Sequence, residues 1–305
     1  MNEELNVDYI VTFEDKVEKD QFKTKHNAEN LDSKLSFDEF FSLSGLALDA
    51  SVKNSITELF EEVKKEDQFK AKINIRSMEA LQKLFEDEVP TKIQPVRKFI
   101  LSSCNFISEY QGINLKNIDN TNGGEGVNVG VIDSGLIEHS CILKNFEISD
   151  DNRPIGWDFT RSNGDDYLID QCDHGSRVTS IIAHIAPKCK ITPLCITKSN
   201  LFSENTLSFA ISLCGLLNFD IINCSWELLN NGLADIRVRG GYLLTEAIKK
   251  VDSIFVIAAG NQKKEIIAKS DYRKLPNVIT VGAVNENNNI WKLSLIHISE
   301  PTRPY

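Results

Sequence analysis

Three short stretches carry side chains suited to chemistry, and they come in a fixed order. Asp133-Ser134-Gly135 closes an apolar run, His174-Gly175-Ser176 precedes a helical pattern, and Ala258-Ala259-Gly260-Asn261 closes a second apolar run. A carboxylate can orient an imidazole and stabilise its charged form. The imidazole can take a proton from a hydroxyl, and a carboxamide can donate to an oxyanion. An acid, a base and an amide donor at strand ends are most of the equipment for acyl transfer by an activated serine. The nucleophilic serine itself is absent from the set. The run from Ser294 through His297 and Ser299 to Arg303 has neither the pattern nor the room to supply it.

Each group also has a plainer reading when taken alone. Asp-Ser-Gly is common loop material, so Asp133 could simply cap a turn. His174 stands ahead of a helix whose buried face begins at Val178, and the positive pole there favours the neutral imidazole that a general base must be. A structural role is the alternative for it, as for His26, His139, His184 and His297. Gly175 lets a second backbone come close, and Ser176 can cap the helix. Gly-Asn after a strand is also an ordinary turn, which leaves Asn261 open.

Positioning these groups requires strands that end where they stand. Residues 127–132 are apolar but for Asn128 and Gly130, close to the pattern of a strand buried on both faces. Val178, Ile181, Ile182 and Ile185 share one face of a helix over 177–185, which Pro187 stops. Further strands are expected at 190–196, 219–224, 254–259 and 278–283, and helices at 207–217 and 242–251. Pro193 would deny the first of these strands one ladder hydrogen bond. Strands alternating with helices predict an α/β fold built on a doubly wound parallel sheet, with ligands at the carboxyl ends of the strands. Asp133 and Asn261 fall at such ends.

Residues 1–110 have a different character. They are rich in Lys, Glu and Asp, with strand-like runs at 9–13, 71–75 and 92–96 and helical patterns at 55–63 and 78–85. This order predicts a small α+β domain. Turn-forming residues dominate 117–126 and mark a linker over 111–126, ahead of the α/β region at 127–292.

Composition narrows the field. The 305 residues are 41% hydrophobic and 26% charged, ordinary for a globular protein. A net charge of −10 with no basic patch argues against nucleic acid as a partner. No run approaches the roughly 18 apolar residues of a spanning helix, and the acidic start lacks the apolar core of a secretory signal. Seven cysteines, at 104, 141, 172, 189, 195, 214 and 224, include no Cys-x-x-Cys pair. They read as buried reduced thiols, with disulfides or a metal site as the alternatives. A cytoplasmic location is expected on these grounds.

Together the three stretches resemble the boxes of the subtilisin-like serine peptidases, the subtilases. Asp133-Ser134-Gly135 is similar to the aspartate box, His174 to Thr179 to the histidine box, and Ala258 to Asn261 to the oxyanion box. Ile185-Ala186-Pro187, Ile221 to Ser225 and Asn277 to Ala283 add weaker likenesses, so that the resemblance covers about 127–284. It implies Asp133 as orienting acid, His174 as base, Asn261 as oxyanion donor and Cys224-Ser225-Trp226 as the strand on which a peptide or protein substrate lies. It implies no cofactor; calcium often binds related folds, but no ligand cluster compels it here. Two departures stand out. Trp226-Glu227 replaces a small, glycine-containing stretch, and the Gly-Thr-Ser helix start that carries the nucleophile is missing.

Residues 293–303 resemble the in-frame translation of a transposase-derived sequencing adapter. A non-native tail is therefore expected at 293–305, on a partial peptidase domain that is inactive as given while the natural gene continues past about Lys292. The alternative is a peptidase-like module without catalysis that only holds peptides. Residues 1–110 resemble a subtilase propeptide, which assists folding and then blocks the site. The likeness is carried by Tyr9 to Phe13 and by the helix and strand between Met78 and Val96. An unrelated accessory domain is the other reading.

Overall fold

The computed structural model describes residues 6–31, 50–96, 98–101, 122–137, 142–149, 153–160, 167–228, 242–260 and 271–284. In the N-terminal region, β1 (Val7–Thr12), α1 (Lys16–His26), β2 (Glu29–Asn30), α2 (Ala50–Asp67), β3 (Lys70–Ile75), α3 (Met78–Glu86) and β4 (Lys92–Pro95) follow one another. The strands form an antiparallel sheet in the order β2-β3-β1-β4. Alternation along β1 sends Tyr9 and Val11, with Phe13 just beyond the strand, into one cluster with Phe22, Ile73, Ile75, Leu84 and Ile93.

Neither α1 nor β2 is predicted by pattern. α1 buries only Lys19 and Phe22, so its apolar period is too sparse to read. Its ends define it instead. Asp15 accepts from the Glu18 N–H at one end, and Asn27 takes the left-handed conformation at the other.

The second part comprises β5 (Lys98–Leu101), β6 (Asn128–Asp133), β7 (Trp157–Asp158), α4 (His174–Ile185), β8 (Lys190–Cys195), β9 (Leu201–Ser203), α5 (Glu204–Leu216), β10 (Ile221–Cys224), β11 (Trp226–Leu228), α6 (Leu243–Lys249), β12 (Ile254–Ala258) and β13 (Val278–Val281). Six strands make the parallel sheet, in the order β13-β12-β10-β6-β8-β7. From β6 the chain winds first to one side and then crosses to the other, so the carboxyl end of β6 lies at the topological switch point. Both faces are covered, which makes the sheet doubly wound. α5 and α6 bury Leu207, Ile211 and Ile248 with Ile222, Phe255 and Ile257 on one face. α4 buries Val178 and Ala183 with Val129, Val131 and Ile191 on the other.

Pro193 sits inside β8 without breaking it, and the ladder explains why. Lys190 N–H donates to Val127 O and Ile196 N–H to Asp133 O, so even-numbered residues of β8 address β6. The donor that Pro193 lacks would point the other way, where β7 pairs only from Leu194 onward.

A third, antiparallel sheet has the order β11-β5-β9. Its strands are short and far apart in sequence, and no pattern announces them. α2 also departs from the layout of separate halves. Its Ile56 and Phe60 belong to the core of the α5–α6 face, and the Phe60 ring meets Phe209 edge-on at 5.0 Å.

Candidate active site

β6 ends on Asp133, and α4 begins on His174 rather than after it, so two element ends present the two side chains to each other. His174 Nδ1 lies 2.7 Å from Asp133 Oδ1. Both side chains are buried, at 1% exposure for Asp133 and 7% for His174. Asp133 Oδ1 also accepts the Ser134 N–H at 2.8 Å. Its Oδ2 is buried and accepts nothing among the described residues. Burial pushes the Asp133 carboxyl above its ordinary value. The hydrogen bond and charge of His174 and the Ser134 amide pull it back, and the charge of Asp170 adds to the rise. A neutral imidazole that donates from Nδ1 keeps its lone pair on Nε2, the tautomer a general base requires.

Ser176 does not cap α4 as its position suggests. The cap is Asp173, in the left-handed conformation; its carboxylate accepts no backbone N–H of the first turn and pairs instead with the Arg177 side chain of α4. Ser176 turns instead to Asp170, donating to Oδ2 from its amide at 2.8 Å and its hydroxyl at 2.6 Å, while its oxygen accepts the Ile137 N–H at 2.8 Å. Asp170 Oδ1 takes the Ser134 hydroxyl at 2.7 Å and the Cys172 N–H at 2.9 Å. Ser134 Oγ in turn accepts the Gly175 N–H at 2.9 Å. Asp170 and Ser134 thus tie the end of β6 to the start of α4. Ser134 belongs to the Asp133-Ser134-Gly135 stretch singled out in the sequence, whereas Asp170, a buried acid in a loop, has no periodicity to reveal it.

The remaining expected residues are less fully placed. Asn261 lies outside the described residues; the chain reaches it through Gly260, at φ 103°, from the carboxyl end of β12 beside β10. Cys224 closes β10 and is fully buried, and Trp226 opens β11 fully buried against Tyr272, with ring centroids 6.2 Å apart. Neither of these side chains is accessible, whereas Ser225 between them is partly exposed. Ser225 Oγ accepts from Asn223 Nδ2 at 2.9 Å. The backbone edge of β11 is taken by β5, with Trp226 opposite Leu101, Glu227 opposite Ile100 and Leu228 opposite Phe99. β9 pairs with the other edge of β5.

Of the other histidines, His26 closes α1, stacks on Phe22 and lies 3.4 Å from Asp87. His139, His297, Cys104, Cys141 and the stretch 285–305 lie outside the described residues, as do 111–121 of the expected linker. The five described cysteines are free thiols, four of them buried. Burial pushes the Cys172 thiol up, which disfavours the thiolate two residues from His174. Among the described residues no three His, Cys, Asp or Glu side chains gather to hold a metal ion. No helix among them is long and apolar enough to cross a membrane.

The fold is similar to that of solved peptidases. The epidermin leader peptide processing serine protease (EpiP) of Staphylococcus aureus matches with a TM-score of 0.53 at 16% identity, covering 95% of this chain and 72% of that one. Fervidolysin from Fervidobacterium pennivorans, a keratinolytic enzyme related to subtilisin, matches with a TM-score of 0.51 at 15% identity, covering 92% of this chain and 44% of that one. No curated protein sequence matches the chain. The sequence model of the subtilase family, Peptidase_S8, matches residues 124–302, more than half of the chain, and the chain belongs to that family.

Proposed function

We propose that Asp133 and His174 are the acid and the base of a Ser-His-Asp triad in a serine endopeptidase. The observation that carries this reading is the buried 2.7 Å contact between His174 Nδ1 and Asp133 Oδ1. As the serine oxygen attacks the peptide carbonyl, His174 Nε2 takes the hydroxyl proton, and the resulting imidazolium is stabilised by the carboxylate on its far side. The same proton then passes to the leaving amine as the C–N bond breaks, and water releases the acyl group by the reverse route. Asn261 is the proposed donor to the oxyanion, since it follows the carboxyl end of β12 in the same sheet. The substrate peptide would add as a strand to β11.

No serine of the 305 residues stands in a Gly-Thr-Ser sequence, so the nucleophile is not assigned to any of them and the chain as given is proposed to be inactive. Residues 1–110, which include β5, are proposed to act as an intramolecular prosegment. The support is β5, which fills the edge between β11 and β9 that a substrate strand would need. Gln94 of β4 also accepts the Leu243 N–H at the start of α6, docking the N-terminal sheet on the second part.

The test is to express the natural reading frame, including any Gly-Thr-Ser downstream, and expose it to a fluorophosphonate. Labelling that disappears in His174→Ala supports the triad. A natural frame that stops near Lys292, or full-length protein that binds peptides without labelling, would replace the peptidase with a binding module.

A further inference from the structure

Ser134 has one hydroxyl proton and two carboxylate oxygens beside it. Asp170 Oδ1 lies 2.7 Å from Ser134 Oγ, and Asp133 Oδ1 lies 3.3 Å away. One proton cannot serve both. The first distance is usual for a hydroxyl on a carboxylate, and the second lies beyond the normal range for O–H···O. The oxygen that loses this competition, Asp133 Oδ1, is the one that meets His174 Nδ1.

We propose that Asp170 is a positioning residue for the Asp133–His174 pair: by drawing the Ser134 hydroxyl proton to itself, it leaves Asp133 Oδ1 to the imidazole. A carboxylate oxygen that gains another donor gives up charge density to it, and its bond to the imidazole weakens. Asp170 is well fixed for this task. The Ser176 amide and hydroxyl hold its Oδ2, and the Cys172 amide shares Oδ1, so the carboxylate cannot swing away from Ser134 without abandoning three other donors. It is 5% exposed, and Ser134 is fully buried, so water does not compete for the proton. Burial alone would push Asp170 up, but its bonds from Ser176, Ser134 and Cys172 outweigh that and hold the carboxyl below its ordinary value. It is therefore ionised, and only an acceptor, at neutral pH.

The catalytic meaning of this arrangement rests on the triad reading; the arrangement of protons does not. The experiment is proton NMR of the whole chain labelled with ¹⁵N-histidine, following the low-field His174 Nδ1–H resonance, identified by its loss in His174→Ala. Asp170→Asn is isosteric. Its carboxamide oxygen can keep the Ser176 donors, which turns its NH₂ toward Ser134 Oγ and sends the hydroxyl proton to Asp133. The resonance should move upfield. Adding Ser134→Ala removes the competing proton and should return the resonance to its wild-type position, whereas Ser134→Ala alone should leave it in place. A merely structural Asp170 would not be rescued by deleting a second hydrogen-bonding group.

An unmoved resonance in folded Asp170→Asn overturns the proposal. So does a downfield move in Ser134→Ala alone, because the Ser134 proton would then have rested on Asp133 all along. Should Asp170→Asn fail to fold, Ser134→Ala alone still decides. Failure of the triad reading would appear separately, as absent fluorophosphonate labelling, and would leave these shifts as they are.

Discussion

Gly175 lies backbone to backbone against Gly135, at the seam between the candidate base and the candidate acid. A Cβ on Gly175 would fall inside the contact radius of Gly135 O and 3.2 Å from Asp133 Cβ. Gly135 is itself fixed, with φ at +111° and the Leu168 carbonyl where its own Cβ would go. The 2.7 Å contact between His174 and Asp133 therefore depends on two residues that lack side chains.

Gly175→Ala should force the start of α4 away from the end of β6. The expected costs are about 1–3 kcal/mol of stability from overpacking and the loss of the low-field His174 Nδ1–H resonance. Denaturant melts and the NMR spectrum check both. A variant of wild-type stability that keeps the resonance would contradict the packing argument.

The site was legible in sequence where chemistry and strand ends coincide, as at Asp133 and His174. The sheet was legible where one period dominates, as along β6 and α4, because burial on both faces or on one stripe leaves a plain hydrophobic pattern. Asp170, its contact with Ser134 and the β11-β5-β9 sheet were not, for a common reason. Their meaning lies in contacts between segments far apart in the chain, such as Ser134 with Asp170 and Glu227 with Ile100. α1 was hidden because its caps, rather than its apolar residues, define it.

Asp133 and Asp170 should respond to pH with opposite signs. The Asp133 carboxyl is raised in the folded protein, so folding favours its proton. Stability is then lost as pH rises from the ordinary value, about 3.9, through the raised one. The Asp170 carboxyl is lowered, so its contribution is present above the ordinary value and is lost as pH falls through the lower folded one. Asp133→Asn should therefore be more stable than wild type at pH 7, with the advantage shrinking in acid. Asp170→Asn should be less stable at pH 7, with the deficit shrinking in acid. Urea melts at a series of pH values test both signs, and parallel curves for the two variants would refute the assignment.

Phe60 joins the N-terminal region to the main core. It is 3% exposed and packs its ring on Phe209 of α5, with Ile56 fully buried one helical turn before it. Phe60→Ala should cost about 3–5 kcal/mol. Because the cavity would open inside a cluster shared by both regions, the N-terminal sheet and the parallel sheet should unfold in one transition. Far-ultraviolet and tryptophan signals measured together in urea check this; two separated midpoints would mean that α2 does not couple them.

β5 is the strand whose removal should free the β11 edge. Ile100 is paired on both sides, with Glu227 of β11 and Leu201 of β9, so its N–H faces a ladder partner whichever way it points. Ile100→Pro deletes that donor and fixes φ in a central strand, where proline is not accommodated. β5 pairs with β11 and β9 and with no strand of the parallel sheet, so the ladder of that sheet should hold. Two changes are expected: faster cleavage within 98–101 by an added protease, and binding of a fluorescent extended peptide that wild type excludes. Unchanged protection of this stretch, with no gain in peptide binding, would mean that β5 does not occupy the edge a substrate strand would use.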